Sequence, residues 1–188
     1  IDAYWRAFLT SMKADIELRI EDEGRPDLSA LVTLHEFDEG VVLKRDQLTV
    51  SAIRSKHPPL VDCFALSFKT NDVHVVCSGD TAPFAGLEDF AKNADLLVQE
   101  AMLESALPAL MTRVGNGSEK LMEHWLQSHS FAHDAAKTAT RAGVKRLALS
   151  HLIPSDDPNY GESDWKNAVE GHWDGPLIIG TDGLKIAL

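Results

Sequence analysis

A change of hydrophobic rhythm near Asp80 constrains the fold of this chain more than any other feature of its sequence. Upstream of that point, residues 31–37, 41–44, 47–55, 63–69 and 73–78 read as short strands. Leu48, Val50 and Ala52 alternate with Gln47, Thr49 and Ser51, the period-2 pattern of a half-buried strand. Val73–Cys77 is apolar almost throughout, as an interior strand would be, and Asn71-Asp72 before it reads as a hairpin turn. Downstream, helical and strand patterns alternate. Helices are expected at 85–93, 118–127, 131–142 and 162–171, and strands at 95–99, 145–150, 176–180 and 184–188. Ser130 is the expected N-cap of helix 131–142, and Gly143 its stop. Strands first, then alternating helix and strand with no linker, predict one layered α/β unit over 1–188. Apolar residues at Ile1, Trp5, Phe8, Leu9, Met12, Ile16 and Ile20 predict an amphipathic helix over 1–20 ahead of this unit. That helix opens without a capping residue, so the start of the chain reads as the interior of something larger. Met102 to Gly117 is loosely patterned and reads as a surface helix, with a lid as the alternative.

Charge narrows the partners. The 18 Lys and Arg against 29 Asp and Glu leave a net −11, which repels phosphate backbones and anionic lipid. The densest basic cluster is Lys137, Arg141, Lys145 and Arg146. No apolar run approaches the ~20 residues a bilayer span needs. Cys63 and Cys77 both lie in strand-like runs and read as buried free thiols, which fits a reducing compartment and predicts a cytoplasmic protein.

The chemistry sits at strand ends. His57 follows strand 47–55 and precedes Pro58-Pro59, Asp80 follows strand 73–78 within Ser-Gly-Asp-Thr, and His151 follows strand 145–150. Each alone reads as a loop or capping residue. Together they place two imidazoles and a carboxylate where ligand sites of layered α/β folds collect, a donor set suited to Zn²⁺, Mn²⁺ or Fe²⁺. Of the other histidines, His74 reads as structural, and His35, His124, His133 and His172 read as surface residues, His133 with pocket lining as the alternative.

Four stretches resemble the metallo-β-lactamase fold hydrolases, in the branch holding ribonuclease Z, arylsulfatase-like and phosphodiesterase-like members. They are Val50–His57, Val73–Thr81, Ala91–Ala101, and His129-Ser130 followed by Ala139–His151, and together they cover roughly residues 40–188. The resemblance implies the C-terminal half of an αββα sandwich plus a preceding helix. It implies a centre of two divalent metal ions, zinc first, with His57 and His151 binding one each and Asp80 bridging. It further implies that His129 assists proton transfer to the leaving group, with Glu100 a candidate to orient it; their bland readings are a helix-entry residue and a strand-end hydrogen bond. No residue is assigned to substrate binding. The family's His-x-His-x-Asp-His motif is absent, which is the pattern expected if the N-terminal part of the fold lies outside this chain.

The function expected on this basis is a metal-dependent hydrolase of a small ester-type substrate: a phosphodiester, sulfate ester or lactone. The alternative is a ribonuclease Z-like tRNA 3′ endonuclease. Only 22 residues, 58–79, separate the matched histidine from the aspartate, where tRNA-processing members insert a long arm. An alternative of another class is a non-catalytic scaffold of the same fold. The expected partner is a small-molecule ester; nucleic acid and membrane are disfavoured, and a homodimer is left open.

Overall fold

The computed structural model describes residues 1–114 and 119–188. Contacts divide the chain into two compact units, Ile1–Phe37 and Asp38–Leu188. The first holds three helices: α1 (Asp2–Ser11), α2 (Lys13–Glu23) and the short α3 (Leu28–Leu31). The helix expected over 1–20 is therefore broken at Met12, and a left-handed Gly24 ends its second half. Asp27 caps α3 by accepting from the Ser29 N–H at 2.9 Å. The strand expected at 31–37 does not form: α3 takes its first residue, and the rest is irregular. Its apolar residues had no neighbouring strand to pair with, and pairing rather than composition makes a strand.

The second unit is a seven-stranded sheet in simple sequential order. Its strands are β1 (Gly40–Arg45), β2 (Leu48–Arg54), β3 (Phe64–Lys69), β4 (His74–Cys77), β5 (Leu96–Met102), β6 (Leu147–Ile153) and β7 (Leu177–Ile179). β1 to β4 pair antiparallel, and β4 to β7 pair parallel. The change of rhythm at Asp80 is thus a change of sheet direction. Antiparallel strands need only tight turns, and Asn71-Asp72 sits in one, closed by Thr70 N–H to Val73 O at 2.8 Å. Parallel neighbours need crossovers. These are carried by α4 (Ala85–Phe90), by α5 (Leu107–Val114), α6 (Glu119–Ser128) and α7 (Ala132–Ala142), and by α8 (Glu162–Val169). α4 stops earlier than expected, and α6 was expected from residue 118, which lies outside the described residues. A 3₁₀ turn at Glu104–Ala106 and α5 occupy most of the loosely patterned stretch; its residues 115–117 also lie outside the described ones.

The core lies between one face of the sheet and helices α4, α7 and α8. Ala65, Val76, Leu97, Leu147 and Leu149 meet Leu87, Ala132, Ala135, Ala136, Ala139, Trp165 and Val169. Alanines along one side of α7 let the helix lie close on the strands. Gly143 ends α7 in the left-handed region, with Val144 N–H reaching Ala139 O and Gly143 N–H reaching Thr140 O. Every residue of β5 but Val98 is buried, including the polar Gln99 and Glu100, as an interior parallel strand requires.

Three further expectations need correcting. The N-cap position of α7 is Phe131, without a side-chain cap; Ser130 instead donates its hydroxyl to Thr81 O at 2.6 Å. Residues 184–188 form no strand, although the 181–183 turn before them is present, closed by Leu184 N–H to Thr181 O at 3.1 Å. The free cysteines are half-buried rather than buried, and burial pushes both thiols up. Among the described residues no helix is long and apolar enough to cross a membrane.

Asp95 ties two strand starts together. It accepts from His74 N–H at 2.7 Å and from Lys145 Nζ at 2.6 Å. The Lys145 bond first, and then the His74 bond, hold its carboxyl below the usual aspartate range. A depressed carboxyl adds stability that is present above its unfolded-state pKa and lost as pH falls through the folded one. Asp95→Ala is therefore expected to lower Tm by a few degrees at neutral pH. That gap should close as the pH drops below about 3.8, the ordinary aspartate value. Thermal melts of both proteins across the acid limb check this; a constant gap would mean the carboxylate charge is not what Asp95 contributes.

Candidate metal centre

The site lies where the sheet changes direction. His57 follows β2 in a turn closed by Leu60 N–H to His57 O at 3.0 Å. Asp80 sits in the loop leaving β4, and His151 lies within the C-terminal part of β6. His129 and Glu100 come from the α6–α7 junction and from β5. Five residues from five segments thus meet at the C-terminal ends of parallel strands, the region where open α/β sheets bind ligands.

Thr81, fully buried, organises them. Its N–H donates to Glu100 Oε1 at 2.7 Å. Its hydroxyl oxygen accepts from Lys56 N–H at 2.9 Å and donates to Ala82 O at 2.8 Å. Its carbonyl accepts from Ser130. One residue therefore joins the loop of Asp80 to the residue before His57, the residue after His129, and the carboxylate behind it. Gly79 completes the loop with φ +59; a Cβ there would stand 2.7 Å from Phe64 O, so no other residue fits without displacement.

His129 is 8% exposed, and its Nδ1–H donates to Glu100 Oε1 at 3.0 Å. Burial opposes the imidazolium, but the Glu100 bond and the nearby charges of Glu100 and Asp80 outweigh it, and the pKa is raised. With Nδ1 engaged, Nε2 is the nitrogen left to act on a ligand. The His129 ring stacks on His151 at 5.7 Å, nearly parallel, and meets His57 edge-on at 5.1 Å.

His151 has φ +44, in the left-handed region that a non-glycine residue seldom occupies. The β5–β6 register explains it: Glu100 pairs with Ser150 and Ala101 with Leu152, so His151 is the extra residue of a bulge. A bulge re-aims one side chain out of the strand's alternation. It brings His151 Nε2 to 3.6 Å from Asp80 Oδ2. That is long for a hydrogen bond, and near the roughly 3.4 Å between two ligands each about 2 Å from one tetrahedral ion. A second sign is an orphan: His57 Nδ1 is buried with no hydrogen-bond partner among the described residues. As a rule buried polar nitrogens are partnered, and among the described residues only Gln99 Nε2 shares this state. An imidazole, a carboxylate and an unpartnered imidazole nitrogen are chemically suited to a borderline divalent metal.

His124 was read from sequence as a surface residue, and the structure brings it into this cluster. It lies on α6, its ring 5.5 Å from His57 and 6.1 Å from His129. Its sequence signal, five positions before His129, has no meaning until the helix exit is known. His133, by contrast, lines a separate cleft of about 320 Å³. His74 is structural as expected, 2.9 Å from Ser67 Oγ. Beside His151 opens a cleft of about 1000 Å³ walled by Leu110, Trp125 and Trp165, with Arg113, Asp156 and Asp182 among its polar groups.

No family model matches the chain. Among curated proteins it is 30% identical over 175 residues to ribonuclease Z of Mycolicibacterium gilvum, which covers 93% of this chain and 58% of that protein. It is 31% identical over 178 residues to ribonuclease Z of Mycobacterium sp. strain KMS, covering 94% and 59%. The chain thus spans less than two thirds of the length of these relatives. Among solved structures it resembles the metallo-β-lactamase fold protein YhfI from Bacillus subtilis, with a TM-score of 0.56 and 21% identity over 76% of this chain and 50% of that one.

Thr81→Val keeps the shape of the joint and removes its hydroxyl, which leaves Lys56 N–H without its acceptor. The expected cost is roughly 1–3 kcal/mol of stability. Denaturant unfolding checks the stability, and the His57 imidazole resonances should move in NMR spectra. Unchanged resonances would mean that His57 is held by something other than this bond.

Proposed function

We propose that this chain, which carries the metallo-β-lactamase fold, holds part of the active site of a metal-dependent hydrolase of phosphodiester bonds. The observation that carries the reading is the arrangement around His129: a buried imidazole braced by a buried carboxylate, between His57 on one side and the His151–Asp80 pair on the other. His57, Asp80 and His151 are the residues that would hold two divalent ions, zinc in the first place and manganese or iron as alternatives, with Asp80 between them. What such ions supply when bound is a water acidic enough to serve as hydroxide near neutral pH. Glu100 fixes His129 in one tautomer and favours its charged form, so Nε2 carries a proton for the departing oxygen. Trp125, Leu110 and Trp165 exclude water from the flank of the adjoining cleft, where Arg113 is paired with Asp156 at 2.9 Å.

The ribonuclease Z relatives favour an RNA phosphodiester, as in tRNA 3′ processing, over the small ester that the sequence alone put first. Two observations keep the small ester as a second reading. Residues between His57 and Asp80 hold β3 and β4 with short connections, which leaves no room for an arm. The basic cluster is also engaged within the fold: Lys137 with Asp134, Arg141 with Glu88, Lys145 with Asp95, and Arg146 with the Ala187 carbonyl.

In the protein expressed from its complete reading frame, chelation should abolish hydrolysis, and added Zn²⁺ or Mn²⁺ should restore it. Asp80→Ala should leave no turnover. His129→Ala should slow cleavage by roughly 10²–10⁴-fold on a poor leaving group and far less on a nitrophenolate, which needs no proton. An equal loss on both would make His129 a positioning residue. Precursor tRNA and bis(4-nitrophenyl) phosphate, assayed side by side over a salt series, separate the two substrate readings. Activity that survives metal removal would overturn the mechanism.

A further inference from the structure

His124 has no part in the reaction described above, yet its surroundings are built. Ser128 Oγ donates its one hydrogen to Pro58 O at 2.7 Å. Its 3.2 Å contact with His124 Nδ1 must then be a donation from the ring N–H. That fixes the His124 tautomer and leaves a lone pair on Nε2. Glu100 does the same to His129. Two neighbouring imidazoles, each with Nδ1–H held by an oxygen behind it, repeat the arrangement in which histidines bind metals. The third member is His57, whose Nδ1 is buried without a partner among the described residues. The three rings stand edge to face at 77°, 87° and 90°, and one ring nitrogen from each lies within 4.8 Å of the other two. A tetrahedral ion with Zn–N bonds near 2 Å sets roughly 3.4 Å between ligand atoms, so the three nitrogens would draw closer on binding.

We propose that His57, His124 and His129 form a second, overlapping three-imidazole site for one transition-metal ion of borderline softness, Zn²⁺ or Co²⁺, and that filling it stops turnover. It draws on two groups the hydrolase needs. A metal on His129 Nε2 removes the proton donor, and one on His57 removes a ligand from the centre with Asp80 and His151. The inhibition rests on the proposed function; the binding does not.

Co²⁺ is the probe, because tetrahedral cobalt on imidazoles has intense visible absorption. The wild-type protein should show a tetrahedral cobalt spectrum that His124→Ala loses and His151→Ala keeps. Ser128→Ala, which frees the His124 ring but keeps all three ligands, should weaken that binding by roughly 10-fold or more. Circular dichroism on each variant identifies loss of fold, and Ser128→Ala carries the test if His124→Ala does not fold. A His124→Ala protein that folds and titrates like wild type would overturn the site. In rate assays, excess Zn²⁺ should inhibit the wild type, and the midpoint should rise at least tenfold in His124→Ala, each taken relative to its own uninhibited rate. Equal midpoints would overturn the inhibition. If the hydrolase reading fails, cobalt binding sensitive to His124 and insensitive to His151 would still be found.

Discussion

The candidate site depends on one buried joint, the Thr81 backbone amide on the Glu100 carboxylate. Thr81 has no exposed surface and Glu100 is 2% exposed, so neither can exchange its bonds for water. In that setting a satisfied hydrogen bond is worth little more than its competitors, but an unsatisfied one costs the full desolvation of the group. The segments that meet here are therefore locked together: the end of β2 through Lys56, the loop after β4, β5 through Glu100, and the entry to α7 through Ser130. Each of these segments carries or adjoins one of the candidate functional side chains. Glu100 Oε2 has no hydrogen-bond partner among the described residues, so the carboxylate keeps accepting capacity beyond Thr81 and His129.

Sheet topology explains why the joint lies where it does. Strands follow one another in space as in sequence, and from β4 onward each step is a parallel crossover to the next position. Right-handed crossovers that always advance in the same direction put their helices on the same face. Helices α4, α7 and α8 accordingly share one face. The pairing places Leu66, Phe68, Leu96, Val98 and Ala148 on the other, an apolar face of the kind that a second sheet covers in an αββα sandwich. The loops that leave β4, β5 and β6 then open at one edge, where Asp80, Glu100 and His151 meet.

Local strain falls at the same edge. His151 holds a left-handed φ within a bulge, and Gly79 and Gly180 stand where a Cβ would meet a backbone oxygen at 2.7 and 2.5 Å. A left-handed φ at a residue such as His151 persists only where surrounding contacts over-determine it. Gly180 N–H donates to Leu149 O at 2.8 Å, which clamps β6 two residues before the bulge. Straightening that bulge would return His151 to the alternation of β6 and away from Asp80.

What the sequence by itself determined was everything carried by periodicity and turn chemistry. The strands 41–44, 47–55, 63–69, 73–78 and 145–150, the helix stop at Gly143 and the strand-end placement of His57 and Asp80 follow from local residue order, and the structure contains them, whereas β6 runs on past residue 150 and holds His151 inside it as a bulge. The strands expected at 31–37 and 184–188 did not form, because composition cannot say whether a partner strand is present. Only the tertiary structure decided which groups face one another. Nothing near Ser130 in sequence says that its hydroxyl serves Thr81, forty-nine residues earlier, rather than capping α7. His124 reads as one more helical histidine until the chain exit at Ser128 folds against Pro58, seventy residues away, and turns its ring toward His57. Local pattern fixes which face of an element is apolar; the meeting of imidazoles from separate elements depends on long-range hydrogen bonds that no short window of sequence contains.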